Sequence, residues 1–172
     1  MDLAQVHKKV SEAEFFLRKL TEQEPRIIGD KEPFDYCLSA FLNAARTVDY
    51  RLRHEQGATL RKAWDARLPA EQCSLMKFIN DDRDVEVHES GSNRNVAEEG
   101  VKFGIGTHHI DGGILTIGGI PTPLSGVESA AVAYRPTYSF TIDGTDRNVT
   151  EVCATHLALL RRMAAEFEAD HS

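Results

Sequence analysis

Pro33–Gly57, PFDYCLSAFLNAARTVDYRLRHEQG, is the stretch whose reading decides the fold. Ten consecutive positions in it, Tyr36 through Ala45, carry no charge, in a chain that is 27% charged. On a 3.6-residue repeat, Phe34, Cys37, Leu38, Phe41, Leu42, Ala45, Val48 and Leu52 form one broad apolar stripe. The opposite side holds Tyr36, Ser39, Asn43, Thr47 and Tyr50, polar but uncharged. A surface helix usually sets Lys and Glu on its back, so a neutral back implies neighbours on both sides. Pro33 suits a first helical position and Gly57 a left-handed stop. The stretch therefore reads as the central helix of an α-helical bundle.

The flanking sequence supplies its partners. Residues 2–22 predict a first helix with Leu3, Val6, Val10, Ala13, Leu17 and Leu20 on one face, and Phe15 off that face. The connector EQEPRIIGDKEP, with two prolines and a glycine, ends it. Beyond Gly57, Ala58–Arg67 predicts a short basic helix around Trp64. Pro69 then opens a helix from which Leu68, Leu75, Met76, Phe78 and Ile79 reach the core. It runs into DDRDVEVHES, where the helical phase favours a continued helix over the strand that Val85 and Val87 alone suggest. Near the end, Asn148 followed by Glu151 predicts an N-cap. Val149, Val152, Cys153, His156, Leu160, Met163, Ala164 and Phe167 then form a last apolar stripe.

Between the helical parts the composition changes. GSNRN and DGGILTIGGIPTPLSG signal turns and irregular chain. Gly100–Gly106, Gly113–Gly119, Ala130–Pro136 and Thr137–Asp143 read as short strands, the last two joined as a hairpin at Arg135–Thr137. The expected architecture is a single, mainly α domain: a four- or five-helix bundle from residues 2–90 and 147–170, with a small antiparallel β-rich insertion over 91–145.

The bulk numbers narrow the function classes. The 172 residues suit one domain with a real core, and the net charge of −7 disfavours unspecific nucleic-acid binding, without excluding a local basic site. Cys37, Cys73 and Cys153 lack ligand spacing and read as small apolar packing in a reducing cytosol. The N-terminal residues do not resemble a signal peptide, and no run approaches a membrane span.

Arg83-Asp84-Val85-Glu86-Val87-His88 is the constellation that points to chemistry. In a helix Asp84 and His88 share a face, so the carboxylate can orient the imidazole and favour its protonated form. A His titrating near pH 7 can take a proton from a ribose 2′-hydroxyl. Arg83 lies about 140° around an ideal helix from His88, so one helix does not aim both at one phosphate. Two copies facing each other across a two-fold axis can. Against this, Asp81, Asp82, Asp84, Glu86 and Glu89 crowd the motif with negative charge, and a helix C-terminus favours Arg and His by its dipole alone.

Arg83, Asp84 and His88, an Arg, a polar residue and a His five positions after the Arg, together with the run CLSAFLNAARTVDYRL, resemble the HEPN family of helical bundles. Many of its members are RNA endonucleases of toxin–antitoxin and defence systems. The resemblance spans roughly residues 2–90 and the last helix; the β-rich region has no place in the minimal family pattern. It implies a homodimer with a composite, metal-independent site and no cofactor. In that site the 2′-oxygen attacks the adjacent phosphate while Arg83 stabilises the developing charge. Ser90 stands where some members carry a tyrosine two residues after the His. Two readings stay open: a nuclease using Arg83, Asp84 and His88 on RNA, or a non-catalytic bundle binding a ligand or protein partner.

Weaker candidates complete the reading. Of His108, His109 and Asp111, only His109 and Asp111 would converge from a strand, too few for a metal site. His156 reads as a satisfied core histidine. Arg51, Arg53, Arg61, Lys62 and Arg67 around Trp64 read as a solvated basic face, with a nucleic-acid patch as the alternative.

Overall fold

The computed structural model describes residues 3–24, 31–88, 94–102, 114–117, 120–123 and 132–170; the side chains of 55–61, 83–88, 100–102, 114–117, 120–123 and 132–134 are outside the description. Four helices are seen among these residues: α1 (Leu3–Gln23), α2 (Glu32–Asp65), α3 (Ala70–His88) and α4 (Val149–Asp170). Five strands lie between α3 and α4: β1 (Asn95–Lys102), β2 (Ile114–Ile117), β3 (Ile120–Pro123), β4 (Val132–Ile142) and β5 (Thr145–Asn148). The chain is thus a helical bundle with a small antiparallel insertion.

The apolar stripe of α2 is the axis of the core. Phe34, Leu38, Phe41, Leu42, Ala45, Val48 and Leu52 are all fully buried, against α1, α3 and α4. From α1 come Val6, Val10, Ala13 and Leu20; from α3, Leu75, Met76 and Ile79; from α4, its whole predicted stripe with Leu157 and Leu159. The neutral back of α2 departs from expectation. Ser39, Asn43 and Thr47 are only half-buried, while Tyr36 and Tyr50 are 66% and 58% exposed.

Gly57 does not stop the helix. Helix α2 runs 34 residues to Asp65, and Ala66 at its end is still right-handed, at φ −66° and ψ −19°. A mid-helix glycine costs only about 1 kcal/mol relative to alanine. Burial of Trp64 and Leu68 beyond it offsets that cost, so tertiary packing overrides the local stop signal. Helix α3 continues through His88, as the helical phase predicts.

The insertion is joined differently from the predicted hairpin. β4 passes straight through Pro136 as one 11-residue strand, paired with β1 in the register Glu98↔Pro136. On its other side β5 covers only Ser139–Ile142, so at Pro136 that edge is open and the missing N–H costs no ladder bond. The turn lies instead at Asp143-Gly144, with φ of 50° and 75°, as a two-residue hairpin needs. β1 starts at Asn95, five residues ahead of expectation; β2 falls within the predicted run Gly113–Gly119, and its partner β3 lies just beyond it in chain read as irregular.

The sheet, ordered β1-β4-β5, docks on the bundle through alternate residues of β4. Tyr138, Phe140 and Ile142 are buried. Tyr138 stacks on Phe34 of α2, with ring centroids 3.6 Å apart and planes 6° apart; Phe140 meets Phe78 of α3 edge-on at 5.0 Å. Arg94 locks the same corner. Its guanidinium forms a two-pronged bond to the Asp35 carboxylate and lies over the Tyr138 ring at 5.3 Å. No described helix is long and apolar enough to cross a membrane.

Candidate functional site

The backbone of Arg83, Asp84 and His88 lies in the last turns of α3, so Asp84 and His88 are one helical turn apart. Their side chains lie outside the described residues, as do His108, His109 and Asp111 in full. Just ahead of the motif, Asp82 is 2% exposed. Burial, with the Asp82 charge adding to it, pushes the Cys153 thiol well above its ordinary range. Cys153 is therefore a protonated packing group, as the sequence predicts, and Cys37, with its titration raised by burial, behaves alike. Among the described residues no three His, Cys, Asp or Glu side chains converge to hold a metal ion.

The described surface offers a different site, where the sheet meets the bundle. Helix α4 begins at Val149 because Asn148 Oδ1 accepts the backbone N–H of Glu151 at 3.0 Å, the predicted cap. The cap residue does a second job that the sequence does not announce. Its Nδ2 donates to Glu24 Oε1 at the end of α1. The Thr150 hydroxyl lies 2.8 Å from Glu24 Oε2 and 2.6 Å from Asn148 Oδ1, and donates to one at a time. One carboxylate from α1 thereby clasps the β5–α4 corner, and the buried Thr150 is satisfied.

Two hollows of mixed polar and apolar lining adjoin this clasp. The larger, about 380 Å³, lies between the start of α3, β5 and the start of α4. Glu71, Gln72 and Leu75 form one wall; Asp146, Arg147 and Asn148 form the floor; Glu151, Val152 and Thr155 form the other wall. Arg147 reaches Glu71 at 2.8 Å across it, and Asp146 accepts the Thr141 hydroxyl at 2.6 Å. The smaller, about 340 Å³, is lined by Thr21, Glu24, Arg135, Pro136, Thr137 and Asn148. Asn148 borders both. The larger cleft presents carboxylates, a guanidinium, amides and a hydroxyl beside an apolar lining of about equal extent. Those groups can hold a polar ligand or peptide carrying both signs of charge.

The basic face around Trp64 is neutralised in part: Arg53 and Arg67 are paired, Arg51 and Lys62 show no ion pair, and the side chain of Arg61 lies outside the description. Asp49, fully buried on α2, takes Arg46 at 3.0 Å and Arg53 at 2.6 Å. Arg67 bonds Glu166 at 2.7 Å, and Arg162 lies between Glu166 and the Trp64 ring. Trp64 itself is 4% exposed and has no face to offer a base. Asp49 has a sequence signal that the apolar reading passes over: it stands four after Ala45 and three before Leu52, in phase with the buried stripe.

His156 is buried as predicted but not satisfied. Neither ring nitrogen has a hydrogen-bond partner, and full burial pushes its titration down to about 4. Nothing in the sequence distinguishes an orphaned core histidine from a partnered one.

Comparison of the chain with protein-family models, with curated proteins and with solved structures finds no match. The HEPN resemblance thus rests on the Arg83-Asp84-His88 spacing and the helical pattern alone.

Proposed function

We propose that this chain is a HEPN-like helical scaffold that works by binding, in a system of the defence or toxin–antitoxin kind, with the cleft beside Asn148 as its recognition site. One observation carries the reading: eight of the ten arginines whose side chains are described are matched to carboxylates of the same chain, Arg18 and Arg51 being the two that are not. Arg46 and Arg53 hold Asp49, Arg67 and Arg162 share Glu166, Arg94 holds Asp35, Arg135 holds Glu99, Arg147 holds Glu71 and Arg161 holds Glu14. With a net charge of −7, such a surface has little with which to gather a polyanion. A mixed-charge cleft suits a small polar ligand or a peptide segment instead.

A second reading is favoured by one specific feature, the helical course of α3 through His88. It spaces Asp84 and His88 as an acid–imidazole pair, the geometry a metal-independent RNA endonuclease would use, with Arg83 supplied across a homodimer. One assay separates the two. Purified protein is incubated with structured RNA beside the His88→Ala variant. Binding as the function gives no cleavage above background from either; cleavage by the wild type that His88→Ala abolishes would establish the endonuclease.

A further inference from the structure

From the outer edge of β5 we infer that the cleft beside Asn148 takes an extended peptide segment as a further strand of the sheet, with a Lys or Arg side chain of that segment set between Glu71 and Glu151. The inference rests on reading this cleft as the recognition site, and it names what the site recognises. The register of the β4–β5 hairpin fixes which backbone groups face outward. A two-residue turn at Asp143-Gly144 makes Ile142 and Thr145 a hydrogen-bonded pair, and the pairs alternate from there. Phe140 and Arg147 therefore exchange bonds. Asp146, opposite Thr141, and Asn148, opposite Ser139, turn their N–H groups away from β4, and the Asp146 carbonyl turns the same way. Among the described residues nothing bonds these three groups, and β5 ends the sheet order β1-β4-β5. Both residues line the 380 Å³ cleft. Open backbone groups along a strand edge are what an extended peptide pairs with.

The side chains select the segment. Among the described lining residues Arg147 is the one cation, against Glu71, Asp146 and Glu151. Arg147 is engaged by Glu71, and no described cation of this chain pairs with Asp146 or Glu151. The dipoles of α3 and α4 favour Glu71 and Glu151 in their first turns, but Asp146, on a strand, has no such reason to be acidic. Glu71 is 70% exposed within its pair, so an incoming cation can exchange with Arg147 there. Leu75 and Val152 supply apolar lining between the carboxylates. That lining suits the methylene stem of a Lys or Arg whose charged head reaches the acids. An acidic segment would instead meet like charge on both walls.

Backbone-amide NMR of the full chain tests this, by titration with capped pentapeptides that carry Arg, Gln or Glu at the centre of a Thr/Val frame. The Arg peptide is expected to shift the amides of Asp146 and Asn148 and to bind at about 100 μM, in keeping with a small contact. Glu71→Gln combined with Glu151→Gln weakens it about tenfold, with an unchanged circular dichroism spectrum. N-methylation of alternate peptide amides abolishes binding in one phase and spares it in the other, because only one edge of the added strand pairs. N-acetylarginine amide, which has the cation without the strand, binds about tenfold more weakly than the peptide. Equal shifts from the Arg and Glu peptides, indifference to the two substitutions or to N-methylation, or equally tight binding of N-acetylarginine amide would each overturn the inference and leave the cleft as the recognition site. Silence of the cleft amides toward every probe would overturn both.

Discussion

His156 shows what a single residue can impose on the whole. Its neutral ring is tolerated in the core, but its cation is not, and the unfolded chain titrates at the ordinary 6.5 while the folded one titrates near 4. Between those values the unfolded state binds the extra proton, so stability falls as pH drops from about 6.5 toward 4 and is unaffected by this residue above that window. At 1.36 kcal/mol per pH unit, the loss by pH 5 is about 2 kcal/mol. Replacing His156 with Leu removes two orphaned polar atoms and that titration together. Urea melts are expected to show His156→Leu at least as stable as wild type at pH 7, with its advantage widening by about 2 kcal/mol at pH 5. A gap that does not change with pH contradicts the assignment. Asp49 is the opposite case, a buried charge held by two arginines. Asp49→Ala is expected to cost roughly 3 kcal/mol by the same measurement, because both guanidinium groups lose their anchor while half turned inward.

At the level of elements, what the sequence shows depends on whether the deciding force is local. The stripes of α1, α3 and α4 and the Asn148 cap are legible because periodicity and capping act within a few residues. The course of α2 past Gly57 is not, since Trp64 and Leu68 decide it from a distance. Gly57→Ala distinguishes the two outcomes. In a continuous helix it stabilises by up to about 1 kcal/mol, and at a left-handed stop it would destabilise by as much, as read from the thermal midpoint. The hairpin shows the converse error: Asp143-Gly144 is a strong two-residue turn signal, passed over in the reading that sets the hairpin at Arg135–Thr137. Gly144, at φ 75° with open space around it, keeps its place for backbone reasons alone. Gly144→Ala is expected to cost about 1 kcal/mol in a urea melt, and a neutral result would contradict the positive φ. The clasp of Glu24 on Asn148 and Thr150 joins residues more than 120 apart in sequence, which no short-range pattern could reveal.

At the scale of the whole molecule, one uncharged stretch organises everything else: three helices pack on its apolar face, a sheet docks over its start, and its neutral back stays partly exposed. If α2 is that single axis, native-state hydrogen exchange followed residue by residue tests it most directly. The account predicts the slowest-exchanging amides between Leu38 and Leu52, with measurable protection continuing across residues 55–60 to Trp64. Exchange at the free-peptide rate around Gly57, or slower exchange in the sheet than in the middle of α2, would contradict it.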